Sequence, residues 1–185
     1  MLEVEILLTY FAAKFASLGI PLGLSALGAQ AAPHLADLVG SHQRARFQAA
    51  AARVNLGYMM VCGALALLIL AIAPYLATRF AALDPEFEAL LIWFLVGQSA
   101  PVLFGATTLL MHSVERGVFY DLLSCVTAVM FLCTVMLSGM LDGVLIAQTL
   151  AVAQLTHAGI CAALLTQAGI WPGLTALFHK EIKLF

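Results

Sequence analysis

Five long apolar stretches, separated by short polar segments, make up most of this chain. Each stretch exceeds the roughly 20 residues that a helix needs to cross about 30 Å of hydrocarbon at about 1.5 Å per residue. The pattern therefore predicts an all-α integral membrane protein, with a transmembrane bundle over residues 1–169 and an interfacial tail over residues 170–185. The predicted spans are Ile6–Gln30, Val54–Thr78, Glu88–Met111, Val118–Ser138 and Val144–Ala168.

Prolines predict where these spans bend or end. We expect a kink near Pro21, because proline removes one helical hydrogen bond and clashes with the preceding turn. Pro101 predicts a second bend in the third span for the same reason. Pro33 is expected to end the first span, with His34–Arg46 as the loop behind it and a new helix starting near Ser41.

Short local motifs predict how other helices begin, turn and pack. Asp84 suits a helix N-cap and Pro85 the first helical position, so the third span should start there. Gly139–Gly143 is too short for anything but a tight turn, so the fourth and fifth spans should form an antiparallel hairpin. The spacing of Gly19 and Gly23 would let a neighbouring helix approach the first span closely.

Composition agrees with a membrane setting. The chain is 63% hydrophobic and 10% charged, with a mean hydropathy of +1.04. A soluble domain carries about a quarter charged residues, so this composition cannot cover a water-facing surface. The formal net charge is −2 and no run is rich in Lys and Arg. We therefore expect membrane lipids as partners, and not nucleic acid.

The Lys and Arg residues predict the orientation of the bundle. Cytoplasmic loops of membrane proteins keep Lys and Arg, whereas translocated loops lose them. Here the basic residues gather in alternate connections, so we expect the N-terminus outside the cytoplasm and the C-terminus inside it. The first loop is flanked by Arg44, Arg46 and Arg53, the third holds Arg116, the tail holds Lys180 and Lys183, and the intervening connections hold only Arg79.

Lys14 is the first candidate functional residue, because it lies about 12 Å inside the first span. A Lys at the centre of a span costs about 2.5–3.5 kcal/mol on insertion scales. Two alternatives are open for its helix face. The face either lines a wet cavity, where Lys14 would meet a phosphate or sugar acid, or packs on another helix. In the second case Lys14 pairs with an absent helix or extends its ammonium to the outer headgroups. That face spans about 80° of arc and comprises Tyr10, Lys14, Ser17, Pro21, Ser25 and Gly28.

Gln98 is the second candidate, because an amide in hydrocarbon needs hydrogen-bond partners. Its face should point into the bundle, where Gln98 bonds either another helix or, as a second alternative, a ligand. Arg53, at the mouth of the second span, would guide an anionic headgroup or anchor a lipid phosphate. The Gln98 stripe covers about 80° of arc and comprises Gln98, Pro101, Gly105, Thr108 and His112.

Other polar residues give less support for chemistry. Gln148, Gln154 and His157 do not share one face of the fifth span, so we expect interhelical hydrogen bonds there and no relay. The sequence shows no nucleophile–base pair, paired carboxylate site or Gly-rich phosphate loop, so we do not expect an enzyme. It has no Cys-x-x-Cys and no paired His, so we expect no metal and no cofactor. The thiols of Cys62, Cys125, Cys133 and Cys161 lie in apolar spans, as small hydrophobes do.

Three segments follow one another along the chain. They are Tyr10-Phe-Ala-Ala-Lys-Phe-Ala-Ser-Leu, Ala32-Pro33-His-Leu-Ala-Asp-Leu and Gly139-x-x-x-Gly143-Val-Leu-Ile-Ala. In series they resemble the carboxy-terminal half of bacterial polysaccharide flippases, which belong to the multidrug/oligosaccharidyl-lipid/polysaccharide exporter superfamily. The resemblance covers about residues 6–168, and it is carried by the order and spacing of the segments more than by any one of them.

The resemblance implies most of one six-helix half-bundle in the bacterial inner membrane, facing a missing amino-terminal half across a central cavity. It implies a transporter that flips lipid-linked oligosaccharide or polysaccharide precursors by alternating access. Lys14 and Arg53 would then face the anionic diphosphate of the substrate, and Gln98 would bond sugar hydroxyls. One departure is the connection His112-Ser113-Val114-Glu115-Arg116, where a shorter, Gly-containing segment is expected.

Two alternatives remain open at this point. A cation-coupled multidrug exporter of the same superfamily would need a carboxylate inside the membrane, and these spans offer none centrally. A non-transporting membrane scaffold subunit of a polymer-synthesis complex would need no cavity residues at all.

Overall fold

The computed structural model describes residue 9 and residues 12–80, 86–138 and 143–172. Within these residues the chain is almost wholly helical and contains no strand. Five helical stretches are long and apolar enough to cross a membrane, which confirms the predicted all-α membrane protein. They are Ala12–Gly40, Ala45–Tyr75, Phe87–Phe104, Gly117–Met136 and Gly143–Gln167.

Seven helices are defined in the described part of the chain, because one span is divided into three pieces. Residues 12–17 form a further helical segment ahead of the first of them. The helices are α1 (Gly19–Gly40), α2 (Arg44–Phe80), α3 (Phe87–Gln98), α4 (Ala100–Phe104), α5 (Thr107–Ser113), α6 (Gly117–Ser138) and α7 (Gly143–Gln167).

The first span is interrupted at Leu18, close to where the sequence predicts a kink. Pro21 has no N–H to donate to the carbonyl of Ser17, one turn earlier. The Leu18 N–H instead bonds the carbonyl of Phe15 at 3.1 Å, which gives a turn between the 12–17 segment and α1. This irregularity lies about one turn ahead of Pro21, and the kink itself stays a prediction.

The expectation that Pro33 ends the first span is wrong, because α1 continues through Pro33 to Gly40. A proline inside a helix leaves one carbonyl unbonded, here that of Ala29. Both Ala29 and Pro33 are exposed. The chain turns later, at His42, whose φ of 56° lies in the left-handed region. The expected loop His34–Arg46 thus shrinks to three residues, 41–43.

The second helix begins at Arg44, three residues after the predicted start near Ser41, and runs for 37 residues to Phe80. It therefore extends ten residues ahead of the predicted span boundary at Val54. At about 1.5 Å per residue α2 is about 55 Å long. This exceeds the hydrocarbon thickness of about 30 Å, so the ends of α2 project beyond it.

The third span is discontinuous, where the sequence predicts one helix with a bend. A turn at Ser99 separates α3 from α4, just before Pro101. A second break lies at Gly105 and Ala106, between α4 and α5. Gly105 has φ 68° and ψ −155°, a conformation open essentially to glycine alone. The break therefore depends on the residue type at this position.

Helix packing leaves α6 at the periphery. Helix α1 packs along α2, and α3 packs along α7. Gly23 allows the first of these contacts, because a Cβ there would lie 2.7 Å from Cδ1 of Leu65. Helix α6 rests on α5 and α7, and no residue of its apolar span Gly117–Met136 is buried within the bundle.

Hydrogen bonds gather the first and third connections at one end of the bundle. Gln48 Nε2 donates to the carbonyl of Gly169 at 2.8 Å, and Arg116 Nη1 donates to the carbonyl of Leu164 at 3.2 Å. The alternation of loops that underlies the charge argument is therefore present. Three predicted features lie outside the described residues, namely the helix start at Asp84 and Pro85, the turn residues 139–142, and the tail beyond residue 172.

Candidate functional site

A cleft of about 460 Å³ lies between α1, the broken third span, α6 and α7. Its walls are mostly apolar, with Ile20, Leu24, Phe131 and Leu150 among them. It lies beside both breaks of the third span, where backbone groups leave the helical pattern. Its polar side chains include Gln98, Thr108, Tyr120, Ser124, Gln154 and His157.

Gln98 bonds another helix, as the first alternative predicts, and it also lines this cleft. Its Nε2 donates to Ser17 Oγ at 2.8 Å, and Ser17 Oγ donates to the carbonyl of Lys14 at 2.7 Å. Gln98 Oε1 is buried and has no hydrogen-bond partner among the described residues. A buried acceptor without a partner costs about 1–3 kcal/mol, so this oxygen is an acceptor that the described part of the fold leaves unsatisfied.

Lys14 is linked to Gln98 through Phe94 and Ser17. Its Nζ lies 4.9 Å from the centroid of the Phe94 ring, and Phe94 is one helical turn before Gln98 on α3. A cation over an aromatic face gains about 0.5–2 kcal/mol, which offsets part of the cost of placing Lys14 in a span. Ser17 joins the two candidates, although Lys14 itself is not among the residues that line the cleft.

The polar stripe predicted on the first span divides between different surroundings. Pro21 lines the cleft, whereas Ser25 is exposed and donates to the carbonyl of Leu22 in its own helix at 2.8 Å. Gly28 faces α2, where a Cβ would lie 2.6 Å from the hydroxyl of Tyr58. The stripe is therefore not one cavity-lining face, because the interruption at Leu18 and the packing on α2 separate its members.

Arg53 is not close to the other two candidates. It is exposed, and it lines a different cleft of about 360 Å³ between α1 and α2, together with Gln30, His34 and Tyr58. The structure thus brings Lys14 and Gln98 together and leaves Arg53 apart. The position of Arg53 suits a contact with a lipid phosphate at the edge of the bundle.

Asn55 has a role that the sequence does not indicate. It is 1% exposed, and its Oδ1 accepts a hydrogen bond from the Ala106 N–H at 2.8 Å. Its Nδ2 donates to the carbonyl of Trp171 at 3.4 Å. Asn55 therefore satisfies a backbone group that the break at Gly105 removes from the helix, which membrane interiors require.

Gln154 and His157 both line the cleft, a position that the sequence analysis does not predict for them. Helix positions three apart lie about 60° from each other, and both of these residues line the cleft. His157 Nε2 lies 3.0 Å from Ser124 Oγ on α6. The Tyr120 and His157 ring centroids are 4.8 Å apart in an edge-to-face arrangement. Comparing Gln154 with His157 alone, without Gln148, would have indicated their shared face.

Among the described residues, no group of three His, Cys, Asp or Glu side chains could hold a metal ion. Comparison with protein-family models, with curated proteins and with solved structures gives no match for this chain.

Proposed function

We propose that the chain is part of a transporter that flips lipid-linked oligosaccharide or polysaccharide precursors across the bacterial inner membrane by alternating access. The observation that carries the proposal is the buried Gln98 Oε1, without a partner among the described residues, in a cleft beside two breaks of a membrane span. Transporters place substrate sites at discontinuous helices near the middle of the membrane, because the breaks expose polar backbone groups there.

The cleft suits an amphipathic substrate. Sugar hydroxyls can donate to Gln98 Oε1, and the ammonium of Lys14, which lies over the Phe94 ring, attracts a diphosphate. The apolar wall formed by residues such as Ile20 and Phe131 suits the lipid chain. A transport role for Lys14 also accounts for a charge placed inside a span, which membrane proteins tend to reserve for function.

The proposal includes an orientation and a partner. The connection that Arg46 flanks and the connection that contains Arg116 face the cytoplasm, so the N-terminal end of the first span faces the periplasm. Alternating access requires a second half that closes the cleft from the other side. We propose that an amino-terminal half-transporter, as the flippase resemblance implies, supplies it.

A binding experiment tests the substrate class. The purified chain is placed in lipid nanodiscs and titrated with undecaprenyl diphosphate or undecaprenol, and bound ligand is measured by native mass spectrometry. We expect the diphosphate to bind more tightly. Lys14→Ala should weaken its binding about tenfold, equivalent to about 1.4 kcal/mol, whereas Lys14→Arg should bind like the wild type. Arg46→Ala, an exposed arginine away from the cleft, is the matched control.

A second comparison tests Gln98. A disaccharide on the lipid diphosphate should strengthen binding to the wild type, and Gln98→Leu should abolish that gain while leaving binding of the bare lipid diphosphate unchanged. In cells that carry the whole transporter, Lys14→Ala should reduce export of surface polymer at unchanged protein abundance. Equal binding of undecaprenol and undecaprenyl diphosphate, or unchanged export, would refute the proposal.

A further inference from the structure

The hydrogen bonds of Ser124 include a feature that the substrate proposal does not use. Ser124 Oγ lies 2.9 Å from the carbonyl of Tyr120 and 3.0 Å from Nε2 of His157. A serine hydroxyl has one proton, so it can donate to only one of these two acceptors at a time. When Ser124 donates to the carbonyl, Nε2 of His157 must carry a hydrogen and donate to Ser124 Oγ.

The state of His157 therefore decides the direction of the hydrogen bond between α6 and α7. A neutral ring with a bare Nε2 accepts from Ser124 and leaves the Tyr120 carbonyl without this donor, whereas a neutral ring with its hydrogen on Nε2 donates to Ser124 as a protonated ring does. A protonated ring donates to Ser124, which then donates to Tyr120, so both bonds form together. The bond from a charged imidazolium is also about twice as strong as a neutral one. Protonation thus fastens α6, which has no buried residue in its span, more firmly to α7.

The groups that face His157 come from four directions. On α7 they are Gln154 and Cys161, whose Sγ lies 4.0 Å from Nε2. On α6 they are Ser124 and Tyr120. The third span contributes uncharged polar groups to the cleft, namely Gln98, Thr107 and Thr108, and α1 contributes apolar side chains. Among the described residues that line the cleft there is no carboxylate or ammonium, and His157 is the only one of them whose side chain becomes a cation when it binds a proton.

A row of protonatable side chains leads from the end of the bundle to His157. His112 Nε2 lies 3.6 Å from Asp121 Oδ1, and their side chains are 47% and 69% exposed. The His112 ring centroid lies 5.3 Å from that of Tyr120, whose ring lies 4.8 Å from that of His157. Thr108 Oγ1 also donates to the Tyr120 hydroxyl at 2.9 Å. The row connects an exposed surface with the inside of the cleft.

We propose that His157 binds the proton that couples this carrier to the proton gradient across the membrane, with Ser124 passing its protonation state to α6. The proposal rests on the proposed transport function. In this step a hydronium ion gives its proton to the lone pair of Nε2, so one O–H bond breaks, one N–H bond forms and a water molecule is released. The cleft then carries one more positive charge, and α6 is held against α7.

The test follows His157 without any substrate. The chain is labelled with ¹⁵N at histidine and at the backbone amides, placed in nanodiscs and titrated between about pH 5 and pH 8, where histidine changes charge. We expect one imidazole signal to titrate together with amide signals of α6. His157→Gln should remove the imidazole signal and the amide response, and Ser124→Ala should keep the imidazole titration but lose the response of α6. His34→Gln, an exposed histidine on α1, should change neither.

The outcomes separate the two proposals. If His157 does not titrate in this range, or if α6 responds equally in Ser124→Ala, the proton site is refuted whatever the substrate is. If His157 titrates and α6 responds but undecaprenyl diphosphate does not bind, the proton site stands and the substrate assignment falls. If both hold, binding of undecaprenyl diphosphate should depend on pH in the wild type and lose that dependence in His157→Gln.

Discussion

Replacing Asn55 with alanine should loosen the broken third span while leaving the other helices in place. In the folded protein, Asn55 Oδ1 accepts from the Ala106 N–H at 2.8 Å, and the side chain is 1% exposed. The alanine side chain offers no acceptor, and no water is expected to replace it in a site so closed. Gly105 takes the N–H of Ala106 out of the helical hydrogen-bond pattern. In the variant this N–H then lacks the Asn55 acceptor inside the bundle.

The expected cost follows from the kind of group that is left behind. A buried donor that loses its acceptor costs about 1–3 kcal/mol. Hydrogen bonds between side chains of membrane helices contribute about 0.6 kcal/mol on average, because these side chains also find partners in the unfolded state within the membrane. A backbone N–H fixed at a break has little freedom to find another acceptor. We therefore expect Asn55→Ala to lower the free energy of unfolding by about 2 kcal/mol.

Two measurements check this value. Unfolding of the purified chain in bicelles gives the free energy, and hydrogen exchange with mass spectrometry gives the protection of residues 103–110. Asn55→Ala should increase exchange in that segment. Gln30→Ala, which removes an exposed amide, should leave that exchange unchanged and alter the free energy by no more than about 0.5 kcal/mol. If Asn55→Ala costs no more than this control, the bond to Ala106 does not stabilise the break.

Three further predictions concern glycines and thiols. Gly105→Ala should destabilise the fold by about 1–3 kcal/mol, measured by the same unfolding assay, because its φ of 68° with ψ of −155° strains any side chain. Gly97→Ala should destabilise it as well, because the new Cβ would lie 2.9 Å from a backbone atom of α7, whereas Gly63→Ala, which meets no atom within 4 Å, should be neutral or slightly stabilising. A membrane-soluble maleimide should label Cys125 and Cys133 but not the two buried thiols, and mass spectrometry that found the buried pair labelled first would contradict this packing.

The spans could be predicted from the sequence because they depend on one local quantity, the length of apolar chain needed to cross the hydrocarbon. The continuation of α1 through Pro33 could not, since it depends on whether the freed carbonyl of Ala29 lies at an exposed position. The break at Gly105 also cannot be predicted when each span is considered separately. It is stable because Asn55, 51 positions away, bonds the amide of Ala106.

The candidate site divides in the same way. Gln98 could be selected because an amide in an apolar run must find partners, and the structure gives it both an interhelical bond and a place in the cleft. The position of Lys14 over Phe94 depends on which helices are neighbours, which one sequence does not determine. Arg53 was selected because it lies at the mouth of the second span and because the flippase resemblance places basic residues near the substrate, and the fold places it in another cleft.

The length of α2 links the bilayer itself to the cleft. Arg53 and Tyr75, which are both exposed on this helix, are separated by 22 residues, or about 33 Å of rise. An arginine and a tyrosine this far apart match the two headgroup layers of an ordinary bilayer. In a thinner bilayer the helix would have to tilt to avoid hydrophobic mismatch. Because α1 packs along α2, such a tilt would also move α1, which contributes Pro21 to the cleft. The thickness of the bilayer would then alter the shape of the cleft.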